Sequence, residues 1–181
     1  MIKFHKSENT RTLVVTYPRT IEILSGVYDN IADIENFKIQ IKNNIDNKIS
    51  YKTNVKGGMP DWRFFVDKDI FKRFLDFVID QNKNLNSKLF ENFYETKSIR
   101  DAWGNALKKG DSVDLHKHPC YHGILYLTEG NPLILPELDI EINPTVGSYY
   151  IFPPEVLHYV NEQKNESIRY NLIFNIFTFC L

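Results

Sequence analysis

Three of the chain's five histidines, His116, His118 and His122, fall within seven positions of the stretch DLHKHPCYHGILYL, residues 114–127. A fourth, His158, lies in IFPPEVLHYV. Neutral imidazole is the commonest side-chain metal ligand, and a bound ion needs its ring nitrogens about 2.1 Å away. On an extended strand side chains alternate faces, which puts His116 and His118 on one face with Cα atoms roughly 6.6 Å apart. Two rings at that spacing can converge on one ion. His122 keeps the same phase, but six residues of unbroken strand would carry it roughly 20 Å from His116. Only a turn at Pro119 brings it near. A lone histidine reads best as a structural hydrogen-bonding group, whereas a same-face pair with a distant third partner reads as a metal centre. Asp114, two residues before His116 and in phase with it, is a reserve donor, and so is His122.

The elements that must hold these residues follow from period and punctuation. RTLVVTYPRTIEIL, residues 11–24, is β-branched and contains a proline, as short strands at a sheet edge do. Ile31, Ile34, Phe37, Ile41 and Ile45 then recur at steps of three and four, which predicts a helix over 30–46. DKDIFKRFLDFVIDQN, residues 67–82, predicts a second helix with Ile70, Phe71, Phe74, Phe77 and Val78 on one face. SKLFENFY adds a short third. Between the first two helices, YKTNVKGGMPDWRFF, residues 51–65, is punctuated as a loop. From residue 99 the texture is β throughout: IRDAWGNAL, DSVDLHKH, GILYL, LDIEI, GSYYIF, LHYV and SIRYNLIFNIFTF, separated by KKGD, TEGNP, INPTVG and NEQKNES. About seven short strands at this spacing predict a mainly β fold, a jelly roll with the N-terminal helices packed on one sheet. In a jelly roll a later strand returns beside an earlier one, which lets His158, 42 positions after His116, supply the third ligand.

With 181 residues, 43% of them hydrophobic, the chain is long enough for one core, so a single domain over 1–181 is expected, with 1–98 as a support region and 99–178 as the β core. The formal net charge of −1 carries no global field suited to a dedicated nucleic-acid or membrane-surface binder, although nucleic acid stays open as a substrate. Cys120 and Cys180 make no disulfide framework, the opening MIKFHKSENT has no signal-peptide core, and no window is apolar enough to span a bilayer. The expectation is a cytoplasmic protein.

The histidines belong to a wider pattern: Asn105, Gly110, five residues, His116, Lys117, His118, and later Gly147, Pro153, His158 and Arg169. This resembles the 2-oxoglutarate- and iron(II)-dependent oxygenases, whose double-stranded β-helix carries a His-x-Asp or His-x-Glu pair, a distant His, and an Arg or Lys soon after it. Within that superfamily, WGNALKKGDSVDLHKHPCYHGILYL with GSYYIFPPEVLHYV and IRYNLIFN resembles phage and bacterial oxygenases that show His-x-His-Pro. The resemblance covers about residues 99–178. It implies a cupin-like double-stranded β-helix, an iron(II) centre on His116, His118 and His158, and a hydroxylase that consumes 2-oxoglutarate and O2, with no catalytic residues beyond the metal centre. Three protein ligands leave iron open positions for a keto acid and O2.

Arg169, 11 residues after His158, has the planar fork that grips the far carboxylate of 2-oxoglutarate, and alternation puts Asn171 on the same face. An arginine on a strand of Ile, Tyr, Leu and Phe needs an anion to meet; the plain alternative is a structural ion pair with Asp111 or Asp114. Asn105 matches a position that touches the keto acid in related repair dioxygenases, and Tyr126 can offer a phenol to the cosubstrate. The chain departs from the superfamily at His118, where a carboxylate is usual. Three neutral imidazoles leave the ion's charge to be balanced by the dianionic cosubstrate. The cupin pattern fits as well, with His122 in the Glu slot and Glu155 in a Gly slot, so a three-His cupin dioxygenase of thiol-dioxygenase type is an alternative. A non-catalytic metal-binding jelly-roll module is a third.

Overall fold

A computed structural model describes residues 2–7, 10–17, 19–84 and 99–176, with side chains from residue 21 onward. The expected third helix over SKLFENFY and the second cysteine, Cys180, lie outside the described residues. In chain order the elements are β1 (Ile2–Ser7), β2 (Thr10–Tyr17), β3 (Arg19–Val27), α1 (Ile31–Asn43), β4 (Val55–Lys56), α2 (Asp69–Asn82), β5 (Ile99–Leu107), β6 (Ser112–His116), β7 (Tyr121–Tyr126), β8 (Leu133–Leu135), β9 (Ile140–Ile142), β10 (Ser148–Phe152), β11 (His158–Val160) and β12 (Arg169–Ile176). The strands form two antiparallel sheets. The larger runs β1-β2-β3-β10-β7-β12-β5 and the smaller β4-β6-β11-β8-β9. Facing sheets between which the chain repeatedly crosses from β5 to β12 are the mainly β, double-stranded β-helix expected from the sequence.

Helix α1 begins at Asn30, whose side-chain oxygen accepts from the backbone N–H of Asp33 at 3.1 Å. Its inner stripe is Ile34, Phe37 and Ile41, all buried, while Ile31 and Ile45 at the two ends are exposed. The helix is thus shorter than its apolar repeat. Helix α2 contributes Ile70, Phe71, Phe74 and Val78, as its period predicts. Both helices pack on the outer face of the larger sheet, against Leu24, Ala102, Leu125, Ile151, Leu172 and Phe174. The other face of that sheet meets the smaller one across a second core containing Trp103, Ile124, Val113, Leu133, Val160 and Ile173. Strand β12 is therefore covered on both sides, and all eight of its residues are buried. Even-numbered side chains from Tyr170 to Ile176 turn to the helices, while the odd-numbered Ile173 lies in the intersheet core.

Four elements depart from the expectation, the first being β1, a strand over Ile2–Ser7 where none is predicted. Leu133–Leu135 forms β8 where no strand is predicted, because three residues between turns carry no readable alternation. Val55–Lys56 pairs with β6 inside the stretch punctuated as a loop. Strand β6 ends at His116 instead of running on through His118. Two glycines of the motif, Gly110 and Gly147, take φ of +87° and +81°, which explains their residue type at these turns. No helix among the described residues is long and apolar enough to cross a membrane.

Candidate metal centre

Strands β6 and β11 lie antiparallel in the smaller sheet, with His116 directly opposite His158. Directly paired residues project to the same face, so their rings meet with centroids 4.3 Å apart. Each ring is fixed by its own strand: His116 Nδ1 is 2.8 Å from the carbonyl of Asp114, and His158 Nδ1 is 2.9 Å from that of Val156. A carbonyl can only accept, so in both rings Nδ1 carries the proton and Nε2 keeps its lone pair. This is the tautomer a metal requires.

His118 joins them by a different route. It lies past the end of β6, in the Lys117–Cys120 crossing from the smaller sheet to β7 of the larger one. Strand alternation is thus not what aims it. The crossing is tied to the loop before β11, where the Glu155 N–H donates to the His118 carbonyl at 3.0 Å and the Glu155 carboxylate pairs with Lys117. Glu155 itself sits at φ +72°, a conformation that favours glycine, as the Gly slot of the cupin pattern anticipates. One ring nitrogen from each of His116, His118 and His158 falls within 4.8 Å of the others, and among the described residues this is the group that could hold a metal ion. The Nε2 of His118 is buried and has no hydrogen-bond partner. An orphaned nitrogen facing two free lone pairs fits a metal ion.

Burial dominates the electrostatics. It lowers the pKa of His116 and, together with a smaller push from the neighbouring imidazoles, brings that of His118 to about 3 and that of His158 to about 4. All three rings are neutral at physiological pH and free to act as ligands. His122 returns on β7, buried, and its ring lies flat against that of His118, with centroids 4.0 Å apart and planes 7° from parallel. It leans on the face of His118 and adds no fourth nitrogen to the converging group. Asp114 points elsewhere: half exposed, it pairs with Lys56 at 3.1 Å.

The larger sheet supplies the other wall of the cavity. Arg169 and Asn171 on β12, Asn105 on β5 and the histidines line one space of about 360 Å³, its mouth included. Arg169 is 1% exposed, and none of its three guanidinium nitrogens has a hydrogen-bond partner. The Tyr126 ring lies 5.3 Å from the guanidinium carbon, and the buried Tyr126 hydroxyl is also unpartnered. Asn105 accepts from the Trp103 indole at 3.0 Å, while Asn171 Oδ1 is orphaned beside Arg169. Neither acidic residue proposed as an ion-pair partner for Arg169 serves it: Asp111 accepts from Tyr51 at 3.0 Å and from the Lys108 N–H, and Asp114 faces Lys56. A buried cation with five unmet N–H donors demands an anion, and a carboxylate matches its fork.

No protein-family model and no curated protein matches the sequence. Solved structures do match in shape. A prolyl-4-hydroxylase from Pseudomonas putida superposes with a TM-score of 0.61 at 13% identity, covering 85% of this chain and 91% of that one. The viral collagen prolyl hydroxylase of Paramecium bursaria Chlorella virus-1, in complex with 2-oxoglutarate, gives 0.55 at 13% identity over 84% and 94%. HygX from Streptomyces hygroscopicus, holding nickel, 2-oxoglutarate and hygromycin B, gives 0.59 at 11% identity over 88% and 84%. The chain has the fold of the 2-oxoglutarate oxygenases. Two residues of the site carry only a partial signal of their place in the sequence. His122 stacks on His118 because the chain folds back at Pro119 and Cys120, the turn that the sequence requires for it to come near, and Glu155 is visible only as a misfit in a glycine slot.

Proposed function

We propose that the chain is an iron(II)- and 2-oxoglutarate-dependent hydroxylase. The observation that carries this reading is the buried, unsatisfied guanidinium of Arg169 in the same cavity as three imidazoles grouped for a metal. His116, His118 and His158 hold the ion. Bound iron(II) supplies the redox chemistry by which 2-oxoglutarate and O2 give succinate and CO2 while a C–H bond of a second substrate becomes C–OH. The protein's own part is binding, orientation and dryness. Arg169 receives the far carboxylate of the cosubstrate through paired N–H donors, and the Tyr126 hydroxyl is free to donate beside it. Asn105 and Asn171 border the same space, and the side chains of Val55, Val113, Leu133, Val160 and Ile173 keep water from it. Cys120 takes no part: burial pushes its thiol up to about 11, so it is not a nucleophile at neutral pH.

The set of three imidazoles without a carboxylate also suits a thiol dioxygenase, and one experiment separates the two readings. Purified protein is loaded anaerobically with iron(II), given 2-oxoglutarate, and then exposed to air. The expected result is a visible charge-transfer band followed by succinate. Iron bound with neither band nor succinate refutes the hydroxylase, and cysteine-dependent O2 uptake in their place assigns the site to thiol oxidation.

A further inference from the structure

His116 and His158 share a device that His118 lacks. Each has its Nδ1 locked to a carbonyl two residues earlier on its own chain segment. Among the described residues His118 makes no ring hydrogen bond at all, and it sits on a crossing where no strand fixes its side chain. A ligand free to turn about two side-chain torsions loses affinity to its own rotamers, so something else must hold the ring. The nearest and flattest ring against it is His122, parallel within 7° at 4.0 Å, whereas the His158 ring lies farther off at 5.3 Å and 14°. His122 is in turn anchored. Its Nδ1 lies 3.1 Å from Asn175 Oδ1, and the Asn175 amide reaches the Asp101 carboxylate at 3.5 Å. The side-chain oxygen of Asn175 can only accept, so His122 Nδ1–H donates, and the far carboxylate orients the amide. The backbone adds register: His122 faces Asn175 across β7 and β12, and Asp101 faces Asn175 across β12 and β5.

We propose that His122 is a positioning residue, a buried ring tethered to the larger sheet that sets the plane of the His118 imidazole and so completes the metal centre. This rests on His118 being a ligand, as proposed above. The chain has thereby replaced the hydrogen bond that orients an ordinary metal-bound histidine with a stacked second histidine. The requirement is a flat ring at position 122, not a nitrogen.

Cobalt(II), whose visible bands report its coordination geometry and ligand field, serves as the probe, and affinity is measured by competition with a chelating dye. His118→Ala marks the spectrum of a centre that has lost its third ligand. In His122→Ala the affinity is expected to fall about ten- to a hundredfold, the usual loss when an outer support of a ligand is removed, with the bands moving toward those of His118→Ala. His122→Phe keeps a ring against His118 and is expected to retain wild-type bands and an affinity much closer to wild type than to His122→Ala. Circular dichroism and thermal melts show that each variant is folded. Unchanged cobalt affinity in folded His122→Ala overturns the proposal. Equal losses in His122→Phe and His122→Ala overturn it too, since they make His122 a direct ligand. Wild-type protein that binds no cobalt overturns the metal reading beneath it, a result distinct from the other two.

Discussion

Replacing Arg169 by methionine should make the protein more stable and its cavity useless for a dicarboxylate. The side chain is fully buried, no acidic group pairs with its guanidinium, and burial lowers its pKa despite the opposing influence of Tyr126, a sign that the charge is held at a cost to folding. Methionine fills similar volume without charge. Exchanging buried ionic groups for packed apolar ones of like volume stabilises by about 1–4 kcal/mol. In a domain of this size each kcal/mol moves Tm by about 2–4 °C, so the chelator-treated Arg169→Met protein should melt several degrees above wild type. The opposite sign applies to the ligand. Two charge-assisted hydrogen bonds at roughly 1.5–3 kcal/mol each amount to about 3–6 kcal/mol, a factor of about 10² to 10⁴ in affinity. A concentration of 2-oxoglutarate about 100 times the wild-type Kd stabilises wild type by about 2.7 kcal/mol and the variant by about 0.4 kcal/mol or less. The assay is a set of thermal melts on both proteins, chelator-treated, with metal, and with metal and 2-oxoglutarate. If Arg169→Met melts below wild type in the absence of ligand, Arg169 is an ordinary structural residue, and if the variant keeps the ligand-induced rise, the anion sits elsewhere.

Metal retained through dialysis should fall sharply in His118→Ala and stay unchanged in Asp114→Asn, because Asp114 is held outward by Lys56; analysis of bound metal decides it. A methyl group at Gly130 would lie 2.7 Å from Cδ and 2.9 Å from Cβ of Arg169, so Gly130→Ala should displace the guanidinium and raise the Kd for 2-oxoglutarate while leaving metal affinity alone, which calorimetric titration can check. Asp33 accepts two hydrogen bonds from Arg73 and one from Tyr28, and the Arg73 bonds are the main cause of its lowered pKa. A carboxyl whose folded pKa lies below its unfolded value of about 3.9 stabilises above that pH, and the contribution is lost as pH falls through the folded value. Asp33→Asn should therefore flatten the acid limb of a stability profile below about pH 4, and a limb of unchanged slope would show that the pair contributes nothing.

The helices and most of the β core are legible because their patterns are one-sided: Ile34, Phe37 and Ile41 face a sheet, and so do Ile70, Phe71, Phe74 and Val78. Strand β8 is not, since three residues leave alternation no room to show. At the site, the nearness of His116 to His158 follows from a returning strand, which a jelly roll predicts in kind. Their direct pairing across β6 and β11 does not follow from sequence, because register depends on loop paths. His118 converges on the other two although the strand that was to aim it stops at His116. A local period cannot say where a strand ends when the chain leaves one sheet for the other. The isolation of Arg169 is equally hidden: the sequence offers Asp111 and Asp114 as partners, and only the folded chain shows both turned to Tyr51 and Lys56.

The grouped imidazoles come from the smaller sheet and the crossing that leaves it, whereas Arg169, Asn171, Tyr126 and Asn105 stand on the larger one. A molecule gripped at both ends is therefore a strut across the sandwich, and the separation of the two sheets is the gauge against which its length is measured. On the proposed function, a keto diacid one methylene shorter or longer than 2-oxoglutarate has to shift one close-packed sheet against the other to keep both grips, which such interiors resist. Discrimination among diacids is then a property of the whole frame, set by the apolar side chains that hold the sheets apart far from either carboxylate.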